Sequence, residues 1–193
     1  MRGSKWLESS PQIITREEFG LLLEATSKKS KSGIRERAVL WLLFNCGLRK
    51  AELLSLEFNN IDMNINRIHL TITKGSKDRI LFFNEDTKSA LLDWFEVRNS
   101  IKSEKNLVFV TSKGTKIHPT FLNQNFKKLG KKAGIERKIY PHLFRHSCLT
   151  HTYEASNNNL VLTQMVAGHS NIQTTTIYAH VSGSAIKEAM MNF

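Results

Sequence analysis

Cysteine is scarce in this chain. Cys46 and Cys148 are the only two in 193 residues, and both stand in apolar stretches, LLFNCGL and RHSCLTH. Two thiols cannot furnish a zinc finger unaided. Their setting fits reduced core residues of a cytosolic protein better than a disulfide. Long apolar runs are also missing, since none approaches the roughly 20 residues that a membrane-spanning helix needs. The opening stretch MRGSKWLESS lacks the apolar core of a secretory signal. Its MRGS resembles a cloning leader, so residues 1–10 are set aside from fold reasoning. There is no internal repeat and no low-complexity tract. Acidic residues are in deficit, with 17 Asp and Glu against 28 Lys and Arg, a formal charge of +11. That excess points to a polyanionic partner. A membrane surface is disfavoured, because no basic stretch pairs with a strongly apolar helical face.

What remains is an ordinary globular composition, 40% hydrophobic and 23% charged, in a chain long enough for one domain with a buried core. Thr15 opens T-R-E-E with Glu18 three residues on, a capping box that starts a helix through FGLLLEAT. After a basic, Ser-rich loop, KKSKSG, the stretch IRERAVLWLLFNC predicts a helix apolar on most of its surface and central to the core. Gly47 ends it, and a short helix carrying KAELLSL begins near Arg49. The period then changes. RIHLTIT alternates, KGSKD reads as a turn and RILFF alternates again, a hairpin with room for a third short strand near FNNIDM. Helical periodicity returns in DTKSALLDWFEVRNSI. NLVFVTS is a short extended segment or a loop. From Thr120 the chain reads as helices: TFLNQNFKKLGKKAG, HLFRHSCLTHTYEAS, NLVLTQMVAG, the QTTTIYAH segment and a last SGSAIKEAMMN. The expected fold class is α+β, mostly α-helical with one small antiparallel β-sheet.

Four separated segments carry side chains suited to chemistry: GLRKAELLSL, TKGSKDR, HLFRH and AGHSNIQTTTIYAH. Each is weak alone. Arg49 suits a surface charge past a helix end. A Lys in a hairpin turn is usually solvated. His142 and His146, four apart on a helix, suit core or capping roles better than half of a metal site, and no HExxH-type Glu accompanies them. A Tyr near a helix end usually packs.

Taken in order, the four segments resemble the catalytic domain of the tyrosine recombinases, the lambda-type integrase and Xer-type family, from about Thr15 to about His180. The family's G-x-R-x-x-E matches Gly47, Arg49 and Glu52. Its hairpin segment G-K-G-x-K-x-R matches TKGSKDR, with Thr73 in place of the first Gly and Lys74 as the hairpin lysine. H-x-x-R-H matches His142, Arg145 and His146, G-H matches Gly168 and His169, and the nucleophile matches Tyr178. The resemblance implies a DNA breaking-rejoining fold and a site-specific recombinase or integrase that works through a 3′-phosphotyrosyl link. Arg49, Lys74, His142, Arg145, His169 and Tyr178 would be catalytic, while Glu52 and His146 would brace them. No metal, cofactor or ATP is implied. Two guanidiniums can meet the charge growing on the phosphate, and the tyrosyl link conserves the bond energy.

Around this site, Lys127, Lys128, Lys131 and Lys132 recur at helical spacing and are expected to contact DNA phosphates. Lys77 and Arg79 flank the hairpin and are expected to track the backbone. The implied partner is double-stranded DNA at specific sites, bound by a homotetramer that is a monomer when free. The implied location is the cytoplasm, at the nucleoid. Residues 11–182 would form the catalytic domain. Residues 183–193 would form a C-terminal helix, either exchanged between protomers or folded back on its own domain. Too few residues precede the first expected helix for the N-terminal core-binding domain that many members of the family carry, so the expectation is a catalytic fragment or a naturally short recombinase. A type IB topoisomerase and a non-catalytic DNA-binding protein of the same fold are the alternatives.

Overall fold

The computed structural model describes residues 13–71, 78–103, 105–168, 187, 190 and 191. Helix α1 (Arg16–Ala25) starts at the expected capping box. Thr15 Oγ1 accepts from the Glu18 N–H at 3.2 Å, and Glu18 Oε2 accepts from the Thr15 N–H at 3.1 Å. Helix α2 (Lys31–Cys46) begins earlier than its apolar pattern suggests, because Ser30 caps it and Lys31, Ser32 and Gly33, read as loop, form its first turn. The glycine is what permits this entry, since a Cβ at residue 33 would lie 2.1 Å from the Ser27 carbonyl oxygen. From there α2 runs through the centre of the molecule, packing on α4 (Glu85–Asn99) and α6 (Pro141–Ala155). Its Ala38, Leu40, Leu42 and Leu43 are fully enclosed.

After α2 the chain turns through Gly47 into the short α3 (Lys50–Ser55) and a single 3-10 turn at Phe58–Asn60. Three antiparallel strands follow in the order β1-β2-β3: β1 (Ile61–Asp62), β2 (Arg67–Leu70) and β3 (Arg79–Phe82). Ile68 pairs with Leu81 and Leu70 with Arg79. Those four are buried while His69 and Ile80 face outward, the alternation that the period-two pattern demands. The NLVFVTS stretch forms no regular strand. It is held by single bridges, Glu57 to Leu107 and Val110 to Lys116, and still buries Val108, Phe109 and Val110. Helices α5 (Pro119–Lys132) and α7 (Leu160–Ala167) complete the elements among the described residues. Of the C-terminal segment, Lys187, Met190 and Met191 are helical. Met190 is fully buried and its carbonyl accepts from Asn45 Nδ2 on α2 at 2.9 Å.

Trp94 ties α4 to the irregular segment. It is fully buried, and its indole N–H donates to the Val108 carbonyl at 2.9 Å. Trp94→Ala removes both the packing and the donor. It is expected to cost about 3–5 kcal/mol in urea unfolding, and a loss under about 1 kcal/mol would show that the region repacks.

Candidate active site

Two distant segments of the chain meet around the carboxylate of Glu52. Arg49 is the residue before α3, with extended backbone at φ −66° and ψ 147°, so Glu52 lies one turn on and faces back toward it. Glu52 Oε2 accepts the Arg49 backbone N–H at 2.7 Å, and Oε1 accepts Arg49 Nη1 at 2.9 Å. From β3, Arg79 forks onto the same carboxylate, Nη1 to Oε1 and Nη2 to Oε2, both at 2.8 Å. Burial would raise the pKa of Glu52. The hydrogen bonds and charge of Arg79, with the donors of Arg49, outweigh it and hold the carboxyl below the ordinary glutamate value.

Arg145 reaches the same place from α6. Its Nη1 donates to the Gly47 carbonyl at 2.7 Å and its Nη2 to the Ala167 carbonyl. Arg49 Nη2 donates to the next carbonyl along, that of Gly168, at 3.1 Å. The two guanidiniums therefore anchor on consecutive peptide groups at the end of α7, directly before residue 169. Arg145 is 4% exposed. Burial, then the like charges of Arg49 and Arg79, push its pKa down to about 10, so it stays charged at neutral pH but under electrostatic stress. An anion entering here would relieve that stress.

Two glycines make the convergence possible. Gly47 ends α2 at φ 59°, and a Cβ there would sit 3.0 Å from Cys148 Sγ. Gly168 ends α7 at φ 59°, where a Cβ would sit 2.5 Å from Arg79 Nη1. Both positions require left-handed backbone and leave no room for a side chain.

The structure thus brings Arg49, Glu52 and Arg145 together. Glu52, expected to brace the catalytic residues, holds the Arg49 guanidinium. His142, one turn before Arg145 on α6, is exposed and lines an open groove of about 750 Å³ with Lys50, Asn123, Gln124, Lys127 and Tyr140. His146 is half-buried, and its Nε2 has no hydrogen-bond partner among the described residues. Lys128 and Lys131 are exposed on α5. Lys74, Lys77, His169 and Tyr178 lie outside the described residues.

One expectation changes. Arg79 was expected to track DNA, but its register opposite Leu70 turns it inward. It is 7% exposed and committed to Glu52. Lys132, also expected to contact phosphate, is exposed on α5, and its Nζ donates to the Ala25 carbonyl at 2.6 Å, at the C-terminal end of α1. Sequence reasoning also missed the polar face that Thr120, Asn123, Gln124 and Lys127 present to the groove. Their i, i+3, i+4, i+7 spacing carries that signal, but the lysines downstream drew the attention.

Comparison with known proteins agrees with this geometry. The phage integrase family matches residues 12–184. A tyrosine recombinase XerC of Actinobacillus succinogenes is 37% identical over 171 residues, covering 89% of this chain and 57% of that protein. A tyrosine recombinase XerC of Alcanivorax borkumensis is 32% identical, covering 94% of this chain and 59% of that protein. Among solved structures, XerA recombinase superposes with a TM-score of 0.75 at 29% identity, covering 92% of this chain and 63% of that one. XerH recombinase bound to its difH substrate gives a TM-score of 0.72 at 26% identity, over 88% of this chain and 50% of that one. The chain belongs to the phage integrase family, the tyrosine recombinases. It spans under two thirds of the length of the curated relatives it matches.

Glu52→Gln leaves two buried or half-buried guanidiniums without their carboxylate, at a cost of about 3–5 kcal/mol. Because the carboxyl pKa is depressed in the fold, that stabilisation is present above 4.5 and is lost as pH falls through the folded value. Calorimetry should show a Tm gap between wild type and Glu52→Gln near neutral pH that closes in acid. A gap that stays constant into acid would contradict the assignment.

Proposed function

We propose that this chain is the catalytic part of a site-specific DNA recombinase. It would cleave and rejoin DNA strands through a tyrosyl link. The observation that carries the reading is the anchoring of Arg49 and Arg145 on the carbonyls of Gly168 and Ala167, immediately before His169. Two permanent cations held side by side, one of them half-exposed, suit the non-bridging oxygens of a phosphodiester.

The Tyr178 phenol oxygen would attack the scissile phosphorus as the bond from phosphorus to O5′ breaks. The phenol proton passes to a neighbouring imidazole, with His142 in that role, and the departing O5′ takes a proton from Lys74. Arg49 and Arg145 would stabilise the added negative charge on the pentacoordinate centre, and His169 would hydrogen-bond the same phosphate. The products are a 3′-phosphotyrosine and a free 5′ hydroxyl. Attack by a partner strand's 5′ hydroxyl reverses the chemistry and completes exchange. The reading needs no metal, cofactor or nucleoside triphosphate.

Double-stranded DNA would lie along the groove between α5 and the start of α6, where His142 and Lys127 share one wall system. Lys128 and Lys131 extend the positive surface along α5. The crystal structure of XerH bound to difH supports duplex DNA as the ligand. The names of the relatives support recombination over supercoil relaxation. On DNA the chain would act as a homotetramer, with the C-terminal segment passed to a neighbouring protomer, and it would be a monomer when free. A cytoplasmic, nucleoid-associated location follows from the substrate.

Duplexes enriched by the chain from a random-sequence pool supply a binding site, and a nicked version of that site serves as a suicide substrate. The expected result is a covalent protein–DNA product in wild type that disappears in Tyr178→Phe. Trapping that survives in Tyr178→Phe would refute the nucleophile. Exchange between two such sites, as opposed to relaxation of a supercoiled plasmid, separates recombinase from topoisomerase. Lys127→Ala should weaken binding to all sequences alike and reduce the magnitude of the salt slope by about 1. An unchanged slope would move the duplex off this groove.

A further inference from the structure

One carboxylate serves two guanidiniums here, and it does not serve them equally. Arg79 takes both oxygens of Glu52 with its Nη1 and Nη2, whereas Arg49 gives a single guanidinium nitrogen and its backbone N–H. The side chain of Arg79 is 6% exposed and that of Arg49 is 39% exposed. The deeper cation therefore holds the larger share of the negative charge, and the shallower one is left partly uncompensated. Among the described residues, Glu52 is the sole acid in an ion pair with either arginine.

We propose that Arg79 is a positioning residue that occupies Glu52, so that Arg49 keeps the positive charge with which it meets a tetrahedral oxyanion. This rests on the strand-cleavage reading above and assigns Arg79 a part in it without contact with DNA. Without Arg79, Glu52 would fork onto Arg49 alone, the preferred geometry of an arginine–carboxylate pair, and cancel its charge where the phosphate must bind. A carboxylate is still needed to orient Arg49 at the start of α3, and a second guanidinium beneath it reconciles orientation with net charge.

Two further observations fit. Among the described residues Arg79 Nε is buried with no hydrogen-bond partner, so their hydrogen bonds alone leave this guanidinium incompletely satisfied. The backbone that leads into residue 169 is also shaped around Arg79, since any side chain at position 168 would meet Arg79 Nη1 at 2.5 Å, Cδ at 2.7 Å and Cζ at 3.0 Å.

A charge-balancing role and a purely structural one differ in the double substitution. Arg79→Gln, Glu52→Gln and the pair together would be compared in the 193-residue chain. One readout is the rate of covalent trapping on the suicide duplex. The other is the Tm rise produced by inorganic sulfate at ionic strength held constant with chloride. Arg79→Gln is expected to slow trapping about 100-fold, the scale of losing one oxyanion donor, and to abolish most of the sulfate shift. Adding Glu52→Gln removes the charge that Arg79 balances, so both readouts should return to the level of Glu52→Gln alone. A double variant no better than Arg79→Gln would overturn the proposal. If Arg79→Gln fails to fold, Glu52→Gln and the double variant are still compared. Equal trapping and equal sulfate shift support charge balance, and a further large loss in the double variant overturns it. A wild-type chain that forms no covalent product would defeat the strand-cleavage reading, while the sulfate arm would still decide the role of Arg79.

Discussion

The four hydrogen bonds on the Glu52 carboxylate hold the rest of the site in place. A carboxylate 11% exposed is costly unless its charge is answered. Here it is answered from two directions in the chain, by the residue that precedes α3 and by a residue on the sheet. The same contacts join α3 to β3, and through Arg49 to the end of α7. The short strands already pack Ile68, Leu70 and Leu81 into the core shared with the helices. The carboxylate adds a polar tie between sheet and helices at the point where chemistry is expected.

Arg145 shows the other side of the arrangement. Burial first, and then the like charges of Arg49 and Arg79 with Glu52 opposing them, make its positive charge costly to hold. A stable protein gains nothing from such crowding. On the proposed strand-cleavage reading this chain would gain, since that repulsion would turn to attraction on a doubly negative transition state. The two left-handed glycines, at 47 and 168, belong to the same design. Their carbonyls hold Arg145 and Arg49 respectively.

Much of this was legible in the residues. The capping box at Thr15, the stop at Gly47 and the three strands followed from local chemistry that the fold leaves undisturbed. So did the helical class and the family, because Arg49, Glu52, His142 and Arg145 stand in segments whose order is specific. What failed to show was direction. RILF alternates, but alternation does not say which face is inward. Arg79 therefore read as a surface cation beside the hairpin lysines, and its partnership with a carboxylate 27 residues away is a tertiary fact. The entry of α2 was hidden because Gly33 looks like a loop residue until its lack of a side chain is seen to admit Ser27.

The two thiols have a practical consequence. Cys46 and Cys148 are enclosed in the core, with their sulfurs against the carbonyls of Phe82 and Asn45. Burial pushes the Cys148 thiol up to about 12 and that of Cys46 well above its usual value. Neither offers a thiolate to a reagent while the chain is folded. A fluorophore or spin label attached through a cysteine engineered on the surface would therefore read out against a silent native background.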